Sequence, residues 1–314
     1  MRRIIVCVWC ALMAAGGLGL AAARPPLQRP EPKIVRIQTL NVRDILYVLT
    51  GGGGNTLALM RDDGVVLIDT KLPGWGRPIS EVIRAVTDKP VTMIINTHAH
   101  EDHTGGNAEF ATATKIVAHE NAKARMQKTT AFSGAGAKYL PNVLVSDRLS
   151  LLEGADRIDL YYFGRAHTDG DLVVVFPEKR LAHLGDLFPG KAAPAIDTAN
   201  GGSAVEFPRT LARIVAEITG VVRVTTGHDE STLVPANRDS GAAIFANPRT
   251  MSWRDLQEYA EFNNDFLATV RQAIAGGKTA AEAYASLRLP EKYKDYDMRQ
   301  ARANVEAIYR ELGR

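Results

Sequence analysis

The chain predicts an α/β fold in which two mixed β-sheets pack face to face with helices outside, followed by a helical appendage. Three observations predict it. Short β-branched runs open the chain at close spacing, strand-like and helix-like segments alternate through its middle, and from Met251 the apolar residues recur at helical spacing.

Residues 1–23 read as a signal peptide: Met1-Arg2-Arg3, an apolar run from Ile4 to about Leu20, then Ala21-Ala22-Ala23. Residues 24–33, rich in proline and basic groups, read as an extended tether. Strands are expected at Ile34 to Gln38, Ile45 to Leu49, Thr56 to Met60 and Val65 to Asp69, with Asp63-Gly64 as a tight hairpin turn. Gly51 to Gly54 lacks the Gly-Lys-Ser/Thr of a phosphate loop and reads as a flexible loop near an active-site mouth. Ser80 is expected to cap a helix running to about Thr87. Val91 to Asn96 is a strand, followed by a helix after Gly106, a strand from Lys115 to Ala118 and a helix from Glu120 to Gln127 capped by His119. Short strands recur between Val145 and Leu184, and a helix is expected from Pro208 to Ile218. In residues 251–314, Trp253, Leu256, Tyr259, Leu267, Val270 and Ile274 share a helical stripe, and Thr279 with Glu282 forms a capping box. Ala301, Val305, Ile308 and Leu312 mark a last amphipathic helix. This extension shows no substrate-binding pattern, so its expected role is to brace the sandwich or form a homodimer contact.

Composition narrows the functional classes. With 46% hydrophobic and 23% charged residues the chain is an ordinary globular protein. Both cysteines, Cys7 and Cys10, lie in the leader, so no disulfide and no thiolate ligand is expected in the mature protein. The formal charge of +3 falls by two, to +1, once Arg2 and Arg3 leave, which offers no electrostatic case for nucleic acid. A periplasmic or secreted protein acting on a small molecule, without stable membrane insertion after leader cleavage, is expected.

The chemistry concentrates in Thr97-His98-Ala99-His100-Glu101-Asp102-His103-Thr104-Gly105-Gly106, on the loop after the Val91–Asn96 strand. Three of the chain's seven histidines fall here beside an aspartate, too dense a cluster for isolated structural histidines. A zinc finger would need thiolates or a closed four-ligand set. His167, Asp186 and His228 each follow or end an expected strand, so all these donors are able to project from one edge of a sheet.

Together, Val65-Val66-Leu67-Ile68-Asp69, the His-x-His-x-Asp-His run and the later His167, Asp186 and His228 resemble the metallo-β-lactamase superfamily of hydrolases, over roughly residues 40 to 230. The resemblance implies an αββα sandwich, with residues 34–250 as the catalytic domain. It implies that His98, His100 and His167 hold one zinc, that Asp102, His103 and His228 hold another, and that Asp186 bridges both. Asp69 would accept a hydrogen bond from a ligand histidine or its backbone. His183 is a candidate for a similar supporting place, although alternation turns it to the other side of its strand from Asp186. Two ions about 3.5 to 4 Å apart would share a hydroxide that attacks the carbonyl carbon of an ester, lactone or thioester, with Asp102 and Asp186 as catalytic proton acceptors. The same donors tolerate iron or manganese. Alternatives are a cysteine-free metallo-β-lactamase, which in the family pattern does not use a bridging aspartate, a non-catalytic zinc-binding protein, and a single-iron oxygenase. The chain departs from the Pro-Gly-His-Thr pattern of thioesterase-like members, carrying Arg165-Ala166 before His167. Specificity is expected to lie in loops such as Thr129 to Pro141 and Lys191 to Gly202.

Overall fold

A computed structural model describes residues 33–38, 45–228 and 251–313. The expected signal peptide, most of the expected tether, and residues 39–44 and 229–250 of the expected 34–250 catalytic segment lie outside the described residues. The first sheet has seven strands in chain order: β1 (Lys33–Gln38), β2 (Ile45–Thr50), β3 (Thr56–Arg61), β4 (Gly64–Ile68), β5 (Val91–Ile95), β6 (Lys115–His119) and β7 (Val143–Val145). Pairing is antiparallel from β1 to β4 and parallel from β4 to β7. Each parallel join needs a crossover. Two of these crossovers carry α1 (Gly76–Arg84) and α3 (Glu120–Met126), and the one between β5 and β6 carries only the short α2 (Glu101–Thr104). The second sheet contains β8 (Arg148–Leu151), β9 (Ile158–Tyr162), β10 (Leu172–Phe176), β11 (Leu181–His183), β12 (Arg223–Thr225) and β13 (Met251–Ser252), ordered β13-β12-β11-β10-β9-β8. α4 (Phe207–Glu217) connects β11 to its parallel neighbour β12.

Side-chain alternation sorts the layers. Leu46, Val48, Leu57, Leu59, Val66 and Ile68 face Ile158, Leu160, Leu172, Val174 and Phe176 in the core between the sheets. The intervening Tyr47, Leu49, Val65 and Leu67 pack outward with Trp75, Ile79 and Ile83 at α1. On the other side Val173, Val175, Ala182 and Val224 meet Leu211 and Ile214 of α4. β10 is therefore covered on both faces, which is why it reads Leu-Val-Val-Val-Phe without a polar interruption. The result is the four-layered αββα sandwich.

The C-terminal helices α5 (Trp253–Ala275), α6 (Ala280–Ala285) and α7 (Ala301–Glu311) join the outer core of the second sheet, to which β13 adds a strand. Leu256, Tyr259, Phe262, Val305 and Ile308 lie in one cluster with Val175 and Phe207. Capping boxes start α5 at Ser252/Asp255 and α6 at Thr279/Glu282. Among the described residues, no helix is long and apolar enough to cross a membrane.

Three local expectations shift. α1 begins at Gly76, not after Ser80, because Pro78 sits in the first helical turn, where its missing N–H is not needed. The hairpin turn is Asp62-Asp63, with Gly64 already the first residue of β4. After Gly106 only a 3-10 turn forms, Asn107–Glu109; the α-helical turn, α2, lies inside the histidine motif itself.

Candidate metal centre

The site sits at the C-terminal ends of the central strands. β5 ends three residues before His98, α2 presents Asp102 and His103, and His167 precedes β10 in the turn from β9. Asp186 lies in a 3-10 turn just after β11, and His228 follows β12. The structure brings all seven expected donors into two groups: His98, His100, His167 and Asp186, and next to them Asp102, His103 and His228.

In the first group, His98 Nε2 and His167 Nε2 each lie 3.0 Å from His100 Nδ1. Asp186 Oδ2 is 3.9 Å from His98 Nε2 and 3.5 Å from His167 Nε2. In the second, His228 Nε2 is 3.3 Å from Asp102 Oδ2 and 3.4 Å from His103 Nε2. Asp186 reaches across, with Oδ2 3.3 Å from His228 Nε2 and Oδ1 3.4 Å from His103 Nε2. Donors about 2.0 to 2.1 Å from a tetrahedral ion stand roughly 3.3 Å from one another, so these separations suit coordination.

The outer partners of the rings settle where their protons are. His98 Nδ1 donates to Thr97 Oγ1 (3.1 Å), whose own hydroxyl donates to Asp69 Oδ2 (2.6 Å). His167 Nδ1 donates to the Ala195 carbonyl (2.8 Å), and His100 Nε2 to Asp197 Oδ2 (2.8 Å). With those nitrogens protonated, the three inner nitrogens meet lone pair to lone pair, an arrangement that a cation relieves and a hydrogen bond does not. Asp186 Oδ1 is likewise buried without a hydrogen-bond donor. The residues present fit a pair of divalent ions. Burial, with neighbouring imidazoles, holds His98 well below the usual histidine range, the neutral form a ligand needs. Burial also opposes charge on His103, but the carboxylates of Asp186 and Asp69 outweigh it and raise His103 well above that range. Burial would raise Asp186; His103 and His228 instead hold it well below the carboxylate range. The negative field that draws a proton to His103 equally draws a cation.

Behind the donors, Asp69 Oδ2 accepts from His103 Nδ1 (2.7 Å), and its Oδ1 accepts from the Thr97 backbone N–H (2.7 Å). Asp69 and Lys71 both occupy the left-handed region, with φ of 62° and 64°. The Thr70 N–H to His103 carbonyl bond (2.8 Å) between them helps hold this costly backbone. His183 forms no hydrogen bond to any of the seven donors. It faces the layer between the sheets, its Nδ1 pairs with Thr225 Oγ1 (2.9 Å), and burial lowers its pKa to about 4. His119 accepts from the Asn121 N–H at the start of α3, away from the donors.

The Gly51–Gly54 segment, expected as a loop near the mouth, packs against the donors at the rim, with Gly53 facing Asp102. The Gly54 N–H donates to the Asp102 carbonyl (2.9 Å), and a β-carbon at Gly54 would stand 2.3 Å from the His103 ring. Glycine is required at 54 because the chain passes against the His103 ring. Gly227 has the same reason: a β-carbon would fall 2.0 Å from Asp186 Oδ1.

Sequence reasoning missed Asp197 and Lys71. Lys71 is fully buried and donates to the Leu49 and Gly54 carbonyls at 2.8 and 2.6 Å. Asp197 lies in the Lys191 to Gly202 loop, which the structure places behind His100 and His167. The one local signal for it is Asp-Thr-Ala-Asn-Gly, in which Asp197 caps a short turn by accepting from the Ala199 and Asn200 N–H groups. Partial burial would raise the Asp197 carboxyl, but hydrogen bonds from Asn200 and His100 lower its pKa to about 2. Asp197→Ala frees the His100 ring, and zinc affinity of the three-histidine group is expected to fall about 10- to 100-fold, as read by chelator competition.

A family model described as the metallo-beta-lactamase superfamily matches residues 49–269. The chain is 34% identical over 149 residues to the 2,4-dinitroanisole O-demethylase subunit alpha of Nocardioides sp. (strain JS1661), covering 46% of this chain and 44% of that one. It is 27% identical over 239 residues to the metallo-beta-lactamase type 2 of Elizabethkingia meningoseptica, covering 71% of this chain and 88% of that one. Among solved structures, a stereoselective inverting sec-alkylsulfatase from Pseudomonas sp. superposes with a TM-score of 0.63 at 15% identity, covering 85% of this chain and 48% of that one. A metallo-beta-lactamase from Pontibacter korlensis gives 0.50 at 19% identity, covering 62% and 91%. The chain thus spans less than half the length of the O-demethylase subunit and of the alkylsulfatase. The structural likenesses, at such low identity, speak to the fold alone. The family match, by contrast, runs through both sheets and every one of the seven donors, and the chain belongs to the metallo-β-lactamase superfamily of metal-dependent hydrolases.

Proposed function

We propose that this chain is an exported dinuclear zinc hydrolase that cleaves an ester, lactone or thioester at its carbonyl carbon. The observation that supports this most is Asp186, whose two oxygens lie 3.3 and 3.4 Å from His228 and His103 while it also borders the three-histidine group. Two bound ions supply Lewis acidity, lowering the pKa of a water to about 7 and polarising a carbonyl oxygen. The protein's part is placement. His98, His103 and His167 are buried and close the back of the site against bulk water, whereas His228 is 45% and Asp102 30% exposed. Substrate therefore approaches across His228 and Asp102. In this reading Asp102, at the rim, takes the proton of the attacking water, and Asp186 shares it from deeper in the site. Imidazoles and carboxylates favour zinc, and iron or manganese suits the same donors.

The test is zinc content of the full chain after leader removal, with turnover of a p-nitrophenyl ester, a lactone, an acyl thioester, nitrocefin, 2,4-dinitroanisole and a secondary alkyl sulfate. Two zinc ions per chain and chelator-sensitive turnover of the ester, lactone or thioester above the rest is the expected result. Preferred turnover of nitrocefin would move the chain to the β-lactamases that one relative's name describes. Preferred turnover of the ether or the sulfate would overturn the carbonyl assignment, and bound zinc without turnover would make it a metal-binding protein.

A further inference from the structure

We propose that the C-terminal helix α7 is a clamp on the three-histidine metal site, with Asn304 and Glu311 as positioning residues for His100 and His167. This rests on the metal-centre reading above. The segment from Lys191 to Ala204 carries both outer contacts of that group: the Ala195 carbonyl, which takes the His167 proton, and Asp197, which takes that of His100. The segment is stitched to the turn holding His167. The Asp197 N–H donates to the His167 carbonyl (2.9 Å), the Ser203 N–H to the Ala166 carbonyl (2.9 Å), and the Asp169 N–H to the Asn200 carbonyl (3.1 Å).

The C-terminal extension grips both ends of this segment. At one end, the Ala193 N–H donates to the Asp297 carbonyl (2.8 Å) and the Asp297 N–H to the Lys191 carbonyl (2.9 Å), a short parallel bridge. Buried Asn304 then donates from Nδ2 to the Pro194 carbonyl (2.9 Å), one residue before the carbonyl that orients His167. At the other end, Glu311 accepts from Ser203 Oγ (2.5 Å) and from the Ala204 N–H (2.7 Å). The segment belongs to neither sheet, so the place of its two imidazole partners depends on these end contacts as well as on its bonds to the His167 turn. Ligand orientation depends on such outer partners, and a site loosened at them binds metal less tightly. The extension thus acts on metal through a loop, and a brace of the sandwich alone would not.

The experiment compares zinc affinity by two-step competition with a chromophoric chelator in the full mature chain and in Asn304→Leu, Glu311→Ala, Glu311→Gln and Tyr309→Phe. Tyr309 is the control for simple destabilisation: it is on the same helix, but its hydroxyl donates to the Lys278 carbonyl (2.8 Å), away from the loop. A His228→Ala background, which removes a donor from the second group only, identifies the phase belonging to the three-histidine group. Asn304→Leu and Glu311→Ala are expected to weaken that phase about 10-fold, in line with loss of outer-partner support, while changing the other phase less than about twofold. Glu311→Gln, which keeps an oxygen for the Ala204 N–H, should recover most of the affinity, and Tyr309→Phe should lower Tm without moving either phase. Asn304→Leu and Glu311→Ala binding both ions as the wild type does, or losing affinity only as much as Tyr309→Phe does, overturns the clamp. A wild-type chain that binds no zinc overturns instead the metal-centre reading beneath it.

Discussion

Asp186→Asn is expected to bind at most one zinc ion and to lose about a thousandfold or more in kcat. The substitution keeps size and shape, so the loss is electrostatic. The carboxylate sits among four imidazoles, 3.3 to 3.9 Å from His98, His103, His167 and His228, and shares the site's negative charge with Asp102. An amide replaces one oxygen with an N–H₂ that points at nitrogen lone pairs or displaces the ion between them. Either way one of the two groups loses its anionic donor, and the shared water loses the second ion that would acidify it. Asp102→Asn at the rim leaves Asp186 in place beside both groups, so its expected loss is smaller, about a hundredfold from the weakened second group and the lost proton acceptor together. Metal content by mass spectrometry, beside steady-state rates on the best substrate, decides the matter. Asp186→Asn with two ions and wild-type kcat would remove the bridging role.

What the sequence made legible is what chain-local chemistry encodes. The motif from His98 to His103 places four donors within six residues, and the Val65 to Asp69 strand announces an aspartate at its end. His167, Asp186 and His228 could be joined to them because each follows an apolar strand, and strand ends in one sandwich share an edge. The Thr279/Glu282 capping box is local too. What escaped was long-range or conformational. Asp197 and the Ala195 carbonyl act on rings 97 and 28 residues away in the chain, the second through a backbone atom that any residue supplies. Gly54 suggested only loop freedom because sequence shows a missing side chain but not the His103 ring that leaves no room for one. Ser80 resembled a cap because its hydroxyl suits one, while the helix had already begun through Pro78.

Lys71→Met is expected to be destabilised most at alkaline pH, with the gap to wild type narrowing as pH falls. Methionine fills the same volume, but the Leu49 and Gly54 carbonyls lose their donor, at a cost of about 1 to 3 kcal/mol each for a buried acceptor left unpaired. Against that stands the charge. Burial, partly opposed by Asp69 and Asp102, lowers the Lys71 pKa to about 7. The unfolded chain keeps this proton up to about pH 10.5, so between pH 7 and 10.5 it binds more protons than the folded one, and this group makes stability rise with pH. Below about pH 7 the folded protein carries the full penalty of a buried ammonium, a penalty that Lys71→Met removes. Above it the penalty fades and only the lost hydrogen bonds remain. Subtracting the two proteins cancels every other titrating group. Urea unfolding of the metal-free proteins at pH 6, 8 and 10 reads the difference, and a gap that stays constant over that span would mean that Lys71 does not titrate there. The same variant frees Gly54, whose N–H holds the Asp102 carbonyl, and Asn55, whose N–H donates to the Gly227 carbonyl (2.6 Å) beside His228. Its zinc loss should therefore fall on the Asp102, His103 and His228 group, the opposite half of the site from the one that Asp197→Ala weakens.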